Sequence, residues 1–181
     1  MISLKSEIVK KVLGYYFINP EARHYSRELA NILKLDPGNL SRKLAEMAGE
    51  GLFKVESEGR NRYFLLNKDF PLLAEYQKIY QVKFGVAESL SAILRHVSGL
   101  KRACIFGSYA KGNFEAGSDI DLLLVGEFDY QAVSRSLAKL EKQWRREINI
   151  IDFTSQEFAV KRKKKDEFLV NILEGKKIEL I

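Results

Sequence analysis

The sequence predicts an α+β protein made of two units, and three observations predict it. Its first third reads as three helices followed by two strand-like runs around a glycine-containing loop. From about residue 86 onward, helical patterns alternate with short apolar strands, the mark of an α/β unit with a short mixed sheet. Between them, Asn67-Lys68-Asp69-Phe70-Pro71 and then Gly85 form soft breaks. The expected division is residues 1–67, a helical connector over 68–85 and a second unit over 86–181.

Composition supports a folded chain. Of the 181 residues 46% are hydrophobic, enough to build a core and to exclude disorder. Cys104 is the single cysteine, so an intramolecular disulfide and the cysteine-rich zinc frameworks are excluded. Two isolated histidines, His24 and His96, exclude a histidine-rich metal site. No apolar stretch approaches the ~20 residues that span a bilayer, and the N-terminal MISLKSEIVKK lacks the apolar run of a signal peptide. The expectation is a soluble, cytoplasmic, reduced protein with no membrane partner. Thirty Lys and Arg against 24 Asp and Glu give a net charge of +6, which favours polyanionic partners without choosing among them. Residues 1–80 carry 13 basic and 10 acidic side chains and residues 81–181 carry 17 and 14, so neither half is a basic arm.

In the first unit, Leu4, Ile8, Val12 and the apolar cluster at 13–17 recur at helical spacing, and Asn19-Pro20 stops the run. Ser26 precedes a short second helix whose inward stripe is Leu29, Ile32 and Leu33. Leu35-Asp36-Pro37 breaks it and starts a third, with Asp36 as N-cap and Pro37 as first helical residue. Leu40, Leu44 and Met47 give that helix its buried face, and Gly49-Glu50-Gly51 closes it. Residues 52–56 and 62–66 read as strands separated by Ser57-Glu58-Gly59-Arg60-Asn61. Three helices followed by a hairpin make a winged helix-turn-helix. Its third helix would be the recognition helix, with Asn39, Ser41, Arg42 and Lys43 reaching base edges or phosphates of duplex DNA. Arg60 and Arg62 on the wing would meet phosphate or minor groove. The competing use of such a unit is protein contact or dimerisation, and a homodimer is expected because winged regulators commonly bind paired half-sites.

In the second unit, a helix over 86–97 has its apolar stripe at Leu90, Ile93, Leu94 and Val97. Strands are expected at 103–106, 119–125 and 147–153, with a helix over 130–145 between the last two. Thr154-Ser155-Gln156-Glu157 has the form of a capping box opening another helix, and residues 177–181 read as a final strand.

The chemistry lies in Ile105-Phe106-Gly107-Ser108-Tyr109-Ala110-Lys111-Gly112 and, a short loop later, Gly117-Ser118-Asp119-Ile120-Asp121. A strand running into Gly-Ser at the start of a helical turn lets a ligand approach the backbone closely. It also offers a hydroxyl and unpaired N–H groups to phosphate. Asp119 and Asp121, with a side-chain period of two, point to one face. A divalent cation between them relieves their repulsion, and Mg²⁺ favours one or two carboxylates plus phosphate oxygens. Together these suggest metal-assisted phosphoryl chemistry on a nucleotide.

Gly107-Ser108, ten residues and then Asp119-Ile120-Asp121 resemble the signature of the polymerase-β-type nucleotidyltransferase superfamily. The likeness is to its minimal, antitoxin-type members and covers roughly residues 86–153. The resemblance implies transfer of a nucleoside monophosphate from a nucleoside triphosphate in a two-ion Mg²⁺ site, with Mn²⁺ as the alternative ion. Asp119 and Asp121 would hold the metals and serve catalysis, Gly107 and Ser108 would contact the triphosphate, and Lys111 would steady it. The acceptor stays open: a partner protein, by analogy with the antitoxin-type members, is one hypothesis, and a small molecule or nucleic acid is another. The family's third carboxylate sits on a later strand between apolar residues, where this sequence has Ile148-Asn149-Ile150. Neutral Asn149 offers a carbonyl oxygen but no charge and no base. Glu147, two residues earlier on the same strand face, is the other candidate for that third position, whereas Asp152 should face the other way. Asn149 also motivates a rival reading, a DNA-binding regulator whose transferase-like domain senses nucleotide or mediates assembly. Cys104 reads as a small core residue, and the run Lys161-Arg162-Lys163-Lys164-Lys165 as a solvated helix end.

Overall fold

A computed structural model describes residues 2–112 and 117–181. The chain separates into two compact units, Met1–Phe84 and Gly85–Ile181. No helix among the described residues is long and apolar enough to cross a membrane.

The first unit is ordered α1 (Glu7–Ile18), β1 (Arg23–Tyr25), α2 (Ser26–Leu33), α3 (Pro37–Gly49), β2 (Phe53–Glu58), β3 (Asn61–Leu66) and α4 (Leu73–Phe84). Helix α1 buries Val9, Val12, Leu13 and Tyr16, the stripe that its period demands, and the Tyr16 hydroxyl donates to the Phe64 carbonyl at 2.8 Å. Helix α3 starts where the sequence places it: the Asp36 carboxylate accepts the Asn39 N–H at 2.8 Å, and Leu40, Leu44 and Met47 are buried. The hairpin turn is tighter than expected. Pairing runs through Ser57 with Arg62 and Glu58 with Asn61, leaving only Gly59 and Arg60 in the turn. Gly59, at φ +59°, takes the left-handed conformation that a two-residue hairpin requires.

Strand β1 was not expected. Its three residues are too few for a period, yet they pair antiparallel with β3 to give the sheet order β1-β3-β2. Helix α4 occupies most of the expected connector. Tyr76 and Tyr80 are buried within the first unit, and the Tyr80 hydroxyl donates to the Lys10 carbonyl on α1 at 3.0 Å.

The second unit runs α5 (Val86–Leu94), β4 (Leu100–Phe106), α6 (Gly107–Lys111), β5 (Ile120–Gly126), α7 (Tyr130–Trp144), β6 (Ile148–Phe153), α8 (Ser155–Lys163), α9 (Glu167–Glu174) and β7 (Ile178–Glu179). Its sheet has the order β6-β5-β4-β7; β5 and β6 are parallel, and the other pairs are antiparallel. Leu122, Leu123 and Leu124 on β5 are all fully buried, so this strand is covered on both faces. On one face Cys104, Leu123 and Val125 pack with Leu169 and Ile172 of α9. Helices α5 and α7 bury Leu90, Leu94, Val133 and Leu137. The capping box that opens α8 forms as expected, whereas α9 was missed because a run of cations precedes its cap, Asp166, which accepts the Leu169 N–H at 3.1 Å.

This topology sets up the site. With β4 antiparallel to β5 and β5 parallel to β6, the C-terminal end of β4 meets the N-terminal ends of β5 and β6 at one end of the sheet.

Candidate functional site

Phe106, the last residue of β4, lies opposite Asp121, and Asp121 lies opposite Asn149. Gly107 follows at φ +71°, and a Cβ there would run into the Asp121 carboxylate. The absent side chain therefore lets the Gly-Ser turn close directly on that acid. On the other side of Asp121, the Asn149 side-chain amide donates to its Oδ1 at 3.1 Å. Asp121 is half-buried and Asp119 exposed, while Ile120 between them is fully buried. Ser108 is the second residue of α6 and is partly buried; Lys111 is exposed at the end of that helix. Neighbouring Tyr109 has its phenol pushed up to about 12 by burial.

Asp119 also opens onto a cleft of about 870 Å³ whose wall includes Glu147, Asn149, Lys142, Arg145 and Arg146. Arg146 was not singled out from the sequence. It is only 8% exposed, and its Nη1 lies 3.5 Å from the carbonyl oxygen of Ser118, the residue before Asp119. Its signal was the Arg145-Arg146 pair at the end of α7, where Arg145 turns the chain in a left-handed conformation at φ +54°. Glu141, on the last turns of α7, accepts the Ile148 N–H at 2.9 Å and fixes the start of β6.

The donors gathered here are oxygens: two carboxylates, and the Asn149 amide if its oxygen turns inward. That set suits a hard cation sharing phosphate oxygens better than it suits an all-protein cage. Among the described residues, no group of three His, Cys, Asp or Glu is placed to hold a metal ion.

The remaining residues singled out lie elsewhere. Asn39, Ser41 and Arg42 are exposed on α3, and Arg42 donates to the Asn39 amide oxygen at 2.5 Å. Lys43 is partly buried and ion-paired with Glu46. Arg60 lies in the hairpin turn, and Arg62 is exposed on β3. Cys104 is 1% exposed and its thiol is pushed up to about 11 by that burial. His24, to which the sequence gave no partner, sits 2.8 Å from the Tyr15 hydroxyl and 3.0 Å from the Glu28 carboxylate. In the basic run, Lys161 pairs with Asp166 at 3.1 Å, and residues 162–165 are exposed.

A protein of Methanocaldococcus jannaschii that carries the provisional name protein adenylyltransferase is 35% identical over 68 residues, which are 37% of this chain and 68% of that protein. The family model described as nucleotidyltransferase domain matches residues 87–179, a span that takes in Gly107, Ser108, Asp119, Asp121 and Asn149. This chain belongs to the nucleotidyltransferase-domain family.

Proposed function

We propose that the second unit is a Mg²⁺-dependent nucleotidyltransferase that moves a nucleoside monophosphate from a nucleoside triphosphate to a hydroxyl on a partner protein. The single observation that carries this reading is the closure of Gly107 onto the Asp121 carboxylate, which brings the Gly-Ser turn and the acid pair to one end of the sheet. Asp119 and Asp121 would hold Mg²⁺, or Mn²⁺, and Ser108 with the first N–H groups of α6 would meet the triphosphate. When bound, the metal supplies charge stabilisation to the attacking and leaving oxygens.

The acceptor O–H bond breaks and its oxygen bonds the α-phosphorus. The bond from that phosphorus to the bridging oxygen breaks, and pyrophosphate leaves. Asn149 cannot take the proton, because an amide is not a base at neutral pH. Glu147, exposed on the wall of the same cleft, is the carboxylate left to receive it. The protein acceptor is suggested by the name of the M. jannaschii relative.

For the first unit we propose a winged helix that binds duplex DNA through α3 and the β2–β3 hairpin. The exposed Asn39, Ser41 and Arg42 on α3 and the exposed Arg60 and Arg62 on the hairpin support it. A second reading is favoured by the bond from Asn149 to Asp121: a regulator whose transferase-like unit binds nucleotide as a signal and turns it over slowly or not at all.

The test is incubation with α-labelled nucleoside triphosphates, Mg²⁺ and candidate partner proteins. Label on a partner from the wild type, and none from Asp119→Ala/Asp121→Ala, is expected. Nucleotide binding without transfer to any acceptor would favour the regulatory reading.

A further inference from the structure

We infer that Phe168, at the start of α9, is the platform on which the base of the bound nucleotide stacks. This rests on the nucleotidyl-transfer reading and adds to it the place of the nucleoside.

The sheet fixes which face the ligand uses. Side chains alternate along β5, so Asp121 shares a face with Leu123 and Val125, which pack with Leu169 and Ile172 of α9. Register carries that face across the strands: Asn149, Asp121 and Phe106 form one row at the site end of the sheet. Asn149 is bonded to the acid, so the row is polar on its β6 side and aromatic on its β4 side. The next row inward is Ile151, Leu123 and Cys104, and it belongs to the apolar cluster with α9.

Helix α9 therefore stands over this face at the margin of the site. Leu169 and Ile172 are its buried stripe, and Phe168, one residue before Leu169, is left on the flank of that stripe. The Phe168 ring meets that of Phe106 with centroids 6.2 Å apart and planes at 85°, an edge-to-face contact that holds it in place. Even so, Phe168 is 45% exposed. Phe106, the cross-strand neighbour of Asp121, thus links the acid to an open phenyl ring.

The two ends of the nucleotide leave the acid pair in different directions. Where β4 ends, the Gly-Ser turn runs on into α6 and takes the phosphates. The nucleoside is left with the open face toward α9. A phenyl ring has no donor or acceptor, so it holds a base by stacking without reading its edge. Among the described residues, the aromatic side chains that stay exposed are Phe168 and Tyr130. Tyr130 opens α7, after the C-terminal end of β5, whereas the acids sit at the N-terminal end of that strand.

The experiment uses the full chain, Mg²⁺ and two probes: a non-hydrolysable ATP analogue, and inorganic tripolyphosphate, which has no base. Calorimetry should show Phe168→Ala binding the analogue about tenfold more weakly than the wild type, as for the loss of one stacked base. It should bind tripolyphosphate within twofold of the wild type. Tyr130→Ala should bind both as the wild type does. Phe168→Trp should keep the analogue's affinity, and its added fluorescence should be quenched by the analogue and not by tripolyphosphate; the single native tryptophan, Trp144, is buried. The inference is overturned if Phe168→Ala binds the analogue as the wild type does, or if it loses both probes equally. Loss of the analogue in Tyr130→Ala alone, or a Phe168→Trp signal blind to the base, would overturn it too. A wild type that binds neither probe would instead sink the nucleotide reading itself, which keeps the two failures distinct.

Discussion

Asn149 donates its side-chain amide to Asp121 Oδ1 at 3.1 Å, across the register pair that joins β6 to β5. A neutral donor thus occupies an acid that, by family resemblance, would face a third carboxylate. The bond is exposed, and it steadies Asp121 modestly when no cation is present.

Replacing Asn149 by Asp removes that bond and sets two carboxylates side by side. Asn149→Asp should melt lower than the wild type in EDTA. It should also gain more from added Mg²⁺, because the cation then relieves a repulsion that the wild type does not have. Thermal melts with and without Mg²⁺ measure this. An equal Mg²⁺ response in both proteins would count against a metal at Asp121.

Gly107→Ala should be more damaging than Gly112→Ala. Both glycines have positive φ, so alanine at either site costs about 1–2 kcal/mol of backbone strain. Only at Gly107 would the new Cβ also displace the Asp121 carboxylate; around Gly112 the space is open. Melting temperatures and Mg·ATP affinity for the pair check the claim, with nucleotide affinity falling chiefly in Gly107→Ala.

Burial of Cys104 predicts an alkaline loss of stability. Its thiol titrates at about 11 in the fold against 9.0 in its unperturbed state, so the folded protein holds the proton more tightly. A raised value means the contribution is fully present below pH 9 and is lost as pH rises toward 11. Tyr109, pushed from 10.0 to about 12, extends the same trend. Denaturant melts across pH 8 to 11 should decline, and less steeply in Cys104→Ala. Native Cys104 should also resist thiol reagents until the unit unfolds.

If the first unit binds duplex DNA, Arg42→Ala/Arg62→Ala should weaken binding. It should also lower the slope of log affinity against log salt by about 2, roughly one for each phosphate that is no longer neutralised. Filter binding or anisotropy over a salt series gives the slope. Unchanged affinity would direct attention to protein contacts instead.

Much of this was legible before the fold was known. The strands around Ile105, Leu122 and Ile150, the Thr154 capping box and the Asp36 cap are written in short-range patterns, and the structure contains all of them. What escaped depends on partners distant in sequence. Strand β1 exists because β3 offers it a ladder, and three residues carry no period of their own. The start of α9 was masked by the cations ahead of Asp166. At the site, the residue types and spacing of Gly107, Asp119 and Asp121 were readable. The pairing of Asn149 with Asp121 and the burial of Arg146 follow from sheet register, which no local pattern encodes.

The central claim is that Asp119 and Asp121 hold a nucleoside triphosphate with its metal at the end of the sheet closed by Gly107. Its most direct test is calorimetric titration of Mg²⁺ with a non-hydrolysable ATP analogue into the wild type and into Asp119→Ala/Asp121→Ala. The account predicts saturable, Mg²⁺-dependent binding to the wild type and a loss of about 100-fold or more in the variant, since even changes around metal ligands cost about 10–100-fold. Equal binding to a folded variant, or wild-type binding indifferent to Mg²⁺, would contradict it.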